Sequence, residues 1–392
     1  MTKLKRLFGT ALFGASLITL SAAAQAQDMD AMLERLQELL AEQSIELDWA
    51  DAEIDGNSAV LTGVTASGPE GETPLGDIVI SGVSETADGF RIEEMAMESY
   101  VHGEEDFSLE IDGAVLTGII LPDEEAAQAD RFGGTFYYET ADLSWLRASV
   151  AGEEVFVLNG LNVTVSPLAD DQPISFEATA DSFEADLTGI EDEMARQTLE
   201  RLGYEQISGR LEAAGSWTAE DGRLALERTD LTIDEGGTIG FAIEITGYTP
   251  EFVRTLSEVQ RSMAENEGDA AGGMAMMGLM QQLSLASADI YFRDDTLTNR
   301  VLELFAEDQG MRPQDVVNQA KAILPFMLAQ IGAPQLGTMI AAAVSEYLDD
   351  PQSLRISARP AQPVPFALLM AGATASPQAL ADQIGLEVVA ND

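Results

Sequence analysis

The chain contains no cysteine and a single histidine, His102. Without thiols there can be no disulfide, no thiolate metal site and no cysteine nucleophile. One histidine excludes a multi-histidine metal centre. A histidine-based triad would have to use His102, which lies in the loop-like stretch Val101-His102-Gly103-Glu104 and reads as a solvated residue. Lysine is almost missing as well: beyond the first five residues only Lys321 remains. A serine–lysine dyad would need it, yet it stands mid-helix between Ala320 and Ala322, where a solvent-facing or snorkelling side chain is expected. No stretch follows the Asp-x-Asp-x-Asp-Gly pattern that wraps calcium. Gly236-Gly237-Thr238-Ile239-Gly240 opens a strand rather than a helix, so it is no phosphate loop. No cofactor and no metal are expected.

Basic charge is scarce throughout. Against 68 acidic residues stand 20 basic ones, a net charge of −48. Three of the cations, Lys3, Lys5 and Arg6, precede the uncharged and mostly apolar run Leu7 to Leu20, and Ala24-Gln25-Ala26 supplies a small-x-small cleavage site. This is the pattern of a secretory signal, residues 1–26, with Gln27 as the mature start. The apolar run is too short to anchor the chain in a bilayer, and without cysteine the cleavage cannot be of the lipoprotein kind. The expected location is periplasmic or secreted, with no transmembrane anchor after cleavage. The mature chain would carry 17 basic and 68 acidic residues, a net −51. Such a surface repels nucleic acid and anionic lipid head groups, which are both held through lysine and arginine. It suits an exported protein adapted to salt; a basic partner or calcium is the alternative use for it.

Disorder does not follow from this charge, because 46% of the residues are apolar and recur with clear periods. Met29 to Gln43 has helical spacing at Met32, Leu33, Leu36, Leu39 and Leu40. From Ile45 the period changes to two, and short strand-like segments separated by Gly, Asp and Glu continue to about Thr246, interrupted by a helix near Glu191–Leu202. The short spacings predict antiparallel hairpins and meanders. A weak internal echo runs through this part: Ala59-Val-Leu-Thr-Gly-Val returns as Ala114-Val-Leu-Thr-Gly-Ile, and more loosely as Ile78-Val-Ile-Ser-Gly-Val.

From Thr249-Pro250 the pattern becomes helical. Asn266 to Gly273 reads as an acidic, glycine-rich loop. The uncharged run that follows carries Met274, Met276, Met277 and Met280, flexible thioethers suited to an irregular apolar ligand or partner. We take these four as the candidate ligand-binding residues, forming a movable lid. The uncharged stretch Ala322 to Val344 is broken by Pro325, Gly332 and Pro334 and reads as a buried helical hairpin rather than a membrane span. The expected fold is therefore α+β. An elongated antiparallel sheet body with an N-terminal helix (residues 27–250) would precede a mostly helical C-terminal lobe (251–392).

The segments Ala59–Thr65, Ile78–Ser84, Ala114–Ile120 and Gly209–Gly247, with their recurrent Val/Ile-x-x-Gly-Val/Ile endings, resemble the AsmA-like and related bacterial envelope proteins. The resemblance spans roughly residues 45–250. It implies a β-groove body that holds or conducts lipids and supports outer-membrane assembly. This chain differs in lacking a retained anchor and in its long C-terminal part. The expectation is a non-enzymatic periplasmic binding or envelope-maintenance protein with a lipid or other apolar partner. The alternative is a carboxylate-based hydrolase of cell-wall or extracellular polymers. A dry trough of Val, Ile, Leu and Met would favour the first, and opposed carboxylates in a cleft the second.

Overall fold

The computed structural model describes residues 15–42, 45–68, 71–104, 106–129, 137–168, 172–265 and 270–392. Most of the expected signal, residues 1–14, and the loop residues 266–269 lie outside the described residues; Ala270–Gly273, expected as loop, are helical.

The strands are β1 (Glu46–Asp48), β2 (Asp51–Asp55), β3 (Ser58–Gly68), β4 (Gly71–Ser81), β5 (Ser84–Thr86), β6 (Gly89–Glu104) and β7 (Phe107–Pro122). They continue as β8 (Thr140–Val150), β9 (Glu153–Val165), β10 (Ile174–Asp186), β11 (Gln206–Thr218), β12 (Arg223–Ile233) and β13 (Gly237–Thr246). The last four are β14 (Ser284–Asp294), β15 (Ser353–Ala358), β16 (Val364–Pro365) and β17 (Leu386–Ala390). The helices are α1 (Ala15–Glu42), α2 (Glu124–Ala129), α3 (Glu193–Leu202), α4 (Pro250–Glu265) and α5 (Ala270–Met280). After them come α6 (Leu297–Gln309), α7 (Pro313–Leu328), α8 (Pro334–Asp349), α9 (Phe366–Ala375) and α10 (Pro377–Gln383).

Among the described residues all seventeen strands belong to one sheet, and every pairing is antiparallel. The long strands follow one another as a meander. β3 pairs with β4, β4 with β6, and each strand from β6 to β15 with the next long one, until β15 pairs with β17. β1 and β2 share the free edge of β3, β5 lies on β6, and β16 lies on the start of β14. At roughly 4.8 Å per strand, the twelve spacings from β3 to β17 give a ribbon about 58 Å wide.

The expected mostly helical C-terminal lobe is not what forms. β13 and β14 lie on either side of the long insertion α4–α5, yet they pair from Gly237↔Asp294 to Thr246↔Ser284. β15, β16 and β17 then extend the same sheet. The cause is edge chemistry. Had the sheet stopped at β13, its backbone amides and carbonyls would be left as an open edge. The eleven-residue β14, of which the sequence pattern shows only the central Asp289–Phe292, satisfies them. The helices are distributed along the sheet instead of gathered in a separate layer of their own.

Caps fix several helices. Asp192 accepts from the amides of Met194 and Ala195 at the start of α3, and Gly203 closes it in the left-handed region. The Thr249 hydroxyl takes the Phe252 amide at 3.2 Å at the start of α4, as Thr249-Pro250 suggests. Among the described residues no helix is long and apolar enough to cross a membrane. The stretch 322–344 divides between α7 and α8 around Ala329–Ile331 and Gly332.

The main core lies at the amino-terminal end. Met29, Met32, Leu33, Leu36 and Leu39 of α1 pack on Leu47, Leu61, Val64, Ile78, Ile80, Ile92, Ile119 and Leu121. Each such side chain contributes about 1.5–3 kcal/mol on burial. A second cluster holds α8 through Ala343 and Tyr347 against Val388 and Ala390 of β17, with Phe292 and Leu354 at its edge. A third joins Phe252, Leu279 and Leu283.

Candidate apolar binding site

The glycines of the internal echo explain how the sheet bends. Leu61-Thr-Gly63-Val64, Ile80-Ser-Gly82-Val83, Ile111-Asp-Gly113-Ala114, Leu116-Thr-Gly118-Ile119 and Leu158-Asn-Gly160-Leu161 share one pattern: apolar, small polar, glycine, apolar. In all five the glycine has φ between +61° and +70°, a conformation that side chains other than Asn or Asp rarely adopt. Along a regular strand, residues three apart point to opposite faces. A left-handed residue between them reverses the alternation, so both apolar residues reach the same face. Leu61 and Val64 are accordingly both 0% exposed. On the neighbouring strand, or just before it for Glu139, the side chains of Glu93, Ser144, Glu139 and Asp181 lie where a Cβ on Gly82, Gly113, Gly118 and Gly160 would be. The glycines are required by crowding as well as by φ.

With the bends in place, one face of the sheet is continuously apolar. A row of directly opposed residues runs Met95, Leu116, Ala141, Val163, Ala178, Ala213, Thr229, Phe241, Ile290, Ile356 and Val388, from β6 to β17. A parallel row runs Met97, Ala114, Leu143, Leu161, Ala180, Leu211, Leu231, Ile239, Phe292, Leu354 and Ala390 across the same strands. Neither row contains a charge. The reverse face carries the polar set. Asn162 donates to Asp142 at 2.6 Å, Thr117 and Thr140 share a hydrogen bond of 2.7 Å, and Arg228 pairs with Glu212 at 3.2 Å. Near β12–β15 this outer face is closed by Tyr291, whose ring lies over Gly240 and whose hydroxyl donates to the buried Asp230. Arg293 completes that group at 3.0 Å from Asp230. Burial and the neighbouring Asp230 carboxylate raise the Tyr291 pKa, so the phenol stays a donor.

Helices stop the apolar face at its two ends: α1 over β3–β7, and α8 over β14, β15 and β17. Beyond the residues these helices cover, the face is partly open, with Ile239 52%, Ile290 51% and Ile356 43% exposed. Where α1 ends, it leaves a cavity of about 450 Å³, within the ~300–1,000 Å³ range of small-molecule sites. Leu36 and Leu40 of α1, Leu47, Leu75, Ile78, Met95, Met97, Ile111, Ala114, Leu116, Ile119, Ala141, Leu143 and Leu161 line it. Asp142 also borders it, but alternation between Ala141 and Leu143 turns the carboxylate to the outer face. Beside the cavity Tyr100, opposite Ile111, is buried, and burial raises its pKa. Among the described residues its hydroxyl has no hydrogen-bond partner.

The residues singled out by sequence fall elsewhere. Met274, Met276, Met277 and Met280 stand on α5, which packs on α4 through Leu279. Met276 is half-buried, the other three are exposed, and none lines the cavity. Seven strand spacings, about 34 Å along the sheet, separate β7 from β14, which follows α5; the cavity and the methionines are two separate places. The cavity residues escaped the sequence reading because strict alternation misassigns faces beyond each glycine. The repeated pattern around those glycines was the available signal.

His102 lies on β6 with its ring stacked on Tyr100. Lys321 is paired with Asp349. Of the tryptophans, Trp49 packs on the main core, Trp145 lies under Arg147, and Trp217 donates to the Tyr248 carbonyl at 2.7 Å. Glu154, Glu184 and Asp186 border a smaller cleft of about 340 Å³ at the ends of β9–β11. Glu154 is paired with Arg147, and hydrogen bonds from Thr188 hold Asp186 below the ordinary carboxylate range. A general acid needs the opposite shift. Among the described residues no group of three histidine, aspartate or glutamate side chains could hold a metal ion.

Residues 230–391 match a protein family described as "Uncharacterized protein". The match begins within β12 and takes in the strands β13–β17 with helices α4–α10, and it ends short of the cavity. No curated protein matches the chain.

Proposed function

We propose that this is an exported, non-enzymatic binding protein of the cell envelope that holds an apolar chain, such as a lipid acyl group, against the bent face of its sheet. The observation that supports it is the uncharged face running from β6 to β17 and deepening into the 450 Å³ cavity beside α1. The apolar part of the ligand enters the cavity between Leu36, Leu40, Leu143 and Leu161, and the remainder lies along the open rows toward β13. Release of water from such a surface contributes about 25 cal/mol per Å² of apolar area covered. Export through residues 1–26 and the AsmA-like pattern of residues 45–250 accord with this role.

The test is uptake of a fluorescent fatty acid. Ala141→Phe fills the cavity from its floor without removing a contact, and should weaken uptake at least tenfold while the melting temperature is kept. Leu143→Glu places a charge in the same space and should abolish uptake. Wild-type protein that takes up no probe, or Ala141→Phe protein that takes it up unchanged, contradicts the proposal.

A further inference from the structure

Besides the amino-terminal run 7–27, three long stretches of this strongly acidic chain carry no charge at all: residues 270–288, 322–344 and 360–381, of 19, 23 and 22 residues. They are far apart in sequence but meet in the fold. Phe366, at the start of α9, packs with Leu279 and Leu283, and its amide donates to the Leu283 carbonyl at 3.1 Å. The Gln378 side chain, at the start of α10, accepts from the amides of Gln335 and Leu336 at the start of α8, each at 3.2 Å. Gly337 of α8 lies against Leu328 at the end of α7. One end of the molecule is thus built from α5, α9, α10 and the α7–α8 turn.

That end displays its large apolar side chains outward. Phe326 is 76% exposed and Met370 72%, and Met274, Met277, Met327 and Leu368 are exposed beside them in sequence or across these packed helices. Single exposed apolar residues need no explanation, but several large ones on helices that pack together point to an interaction surface. Charge decides among the occupants. Nucleic acid and anionic membranes are repelled by a chain of net charge −48, and so is a second copy of the same chain. A surface without net charge is not. Phenylalanine, methionine and leucine on the uncharged helices α5 and α9 and at the uncharged end of α7 are suited to lie among acyl chains, whereas none of these helices is long and apolar enough to cross the bilayer. The surface also adjoins the apolar face of the sheet: Leu285 and Ala288 of β14 lie within the stretch 270–288, and Ala288 pairs with Ile243 and Ala358.

We propose that this charge-free end docks on a neutral, zwitterionic phospholipid surface by shallow insertion of Phe326, Met327, Met370 and the α5 methionines. Docking does not require that the cavity hold a chain, and it is read without any uptake assay. The mature protein is mixed with phosphatidylcholine vesicles and floated on a density gradient. Wild-type protein should float with the vesicles, and molar salt should leave binding intact or strengthen it. The triple variant Phe326→Asp, Met327→Asp, Met370→Asp should lose at least tenfold in vesicle affinity with an unchanged circular dichroism spectrum, since all three side chains are mostly in solvent. Val101→Asp, at a comparably exposed apolar site on β6, should float like the wild type. Three results overturn the proposal: no flotation of the wild type, flotation that demands anionic lipid, or a dimer in sedimentation velocity that the triple variant abolishes.

Discussion

If the left-handed glycines bend the sheet, replacing one must cost stability where an ordinary glycine-to-alanine change would add it. Gly118→Ala is the sharpest case. With φ at +62°, an alanine there forces its Cβ against the backbone at a cost of about 1–2 kcal/mol. The new methyl also meets the side chain of Glu139, which must swing away from Arg91, its partner at 3.0 Å. Both partners are substantially exposed, so losing that pair adds at most about 1 kcal/mol. The sum is a loss of about 1–3 kcal/mol. Gly56→Ala, at φ +64° with nothing near its Cβ, should show the backbone cost alone. Gly189→Ala, with open space and no positive φ, should be neutral or gain up to about 1 kcal/mol through the unfolded chain. Urea titrations followed by far-ultraviolet circular dichroism measure all three. A Gly118→Ala protein as stable as the wild type, or indistinguishable from Gly189→Ala, would refute the bend as the reason for the repeated pattern.

Truncating the α1 anchor by Leu39→Ala, a fully buried site, should cost about 2–5 kcal/mol and lower the urea midpoint. The melting temperature should climb as sodium chloride rises from low to molar concentration, because the net charge of −48 repels itself over a screening length that shrinks from about 10 Å at 0.1 M to about 3 Å at 1 M; a flat or falling curve would mean the carboxylates are already compensated. Tyr100→Phe removes a buried hydroxyl that has no hydrogen-bond partner among the described residues, a group that costs about 1–3 kcal/mol to leave unsatisfied. Ligand-free protein should therefore be no less stable after that change by calorimetry, and a clear loss would reveal a bond that the hydroxyl makes.

Local patterns carried much of this architecture into the sequence. Met32, Leu33, Leu36 and Leu39 repeat at helical spacing and do pack as one face of α1. The period-two segments between Ile45 and Thr246, with their short turns, do pair as antiparallel neighbours. What local patterns could not carry was reach. β14 pairs with β13 across an insertion of two helices, and β15 and β17 return to the same sheet much later, so their membership depends on an edge that only the assembled sheet presents. The binding face was hidden for another reason. Leu116 and Ile119 are three apart and would lie on opposite faces of a regular strand; only the conformation of Gly118 joins them. The methionines of α5 were visible as composition, but composition cannot place a helix relative to a cavity.

The most direct measurement is mass spectrometry of what the protein holds when purified, without detergent, from the envelope of cells that export it. The account predicts a long-chain apolar molecule at close to one per chain, retained by the wild type and missing from Ala141→Phe prepared in the same way. Folded wild-type protein that carries nothing beyond what Ala141→Phe carries would contradict it.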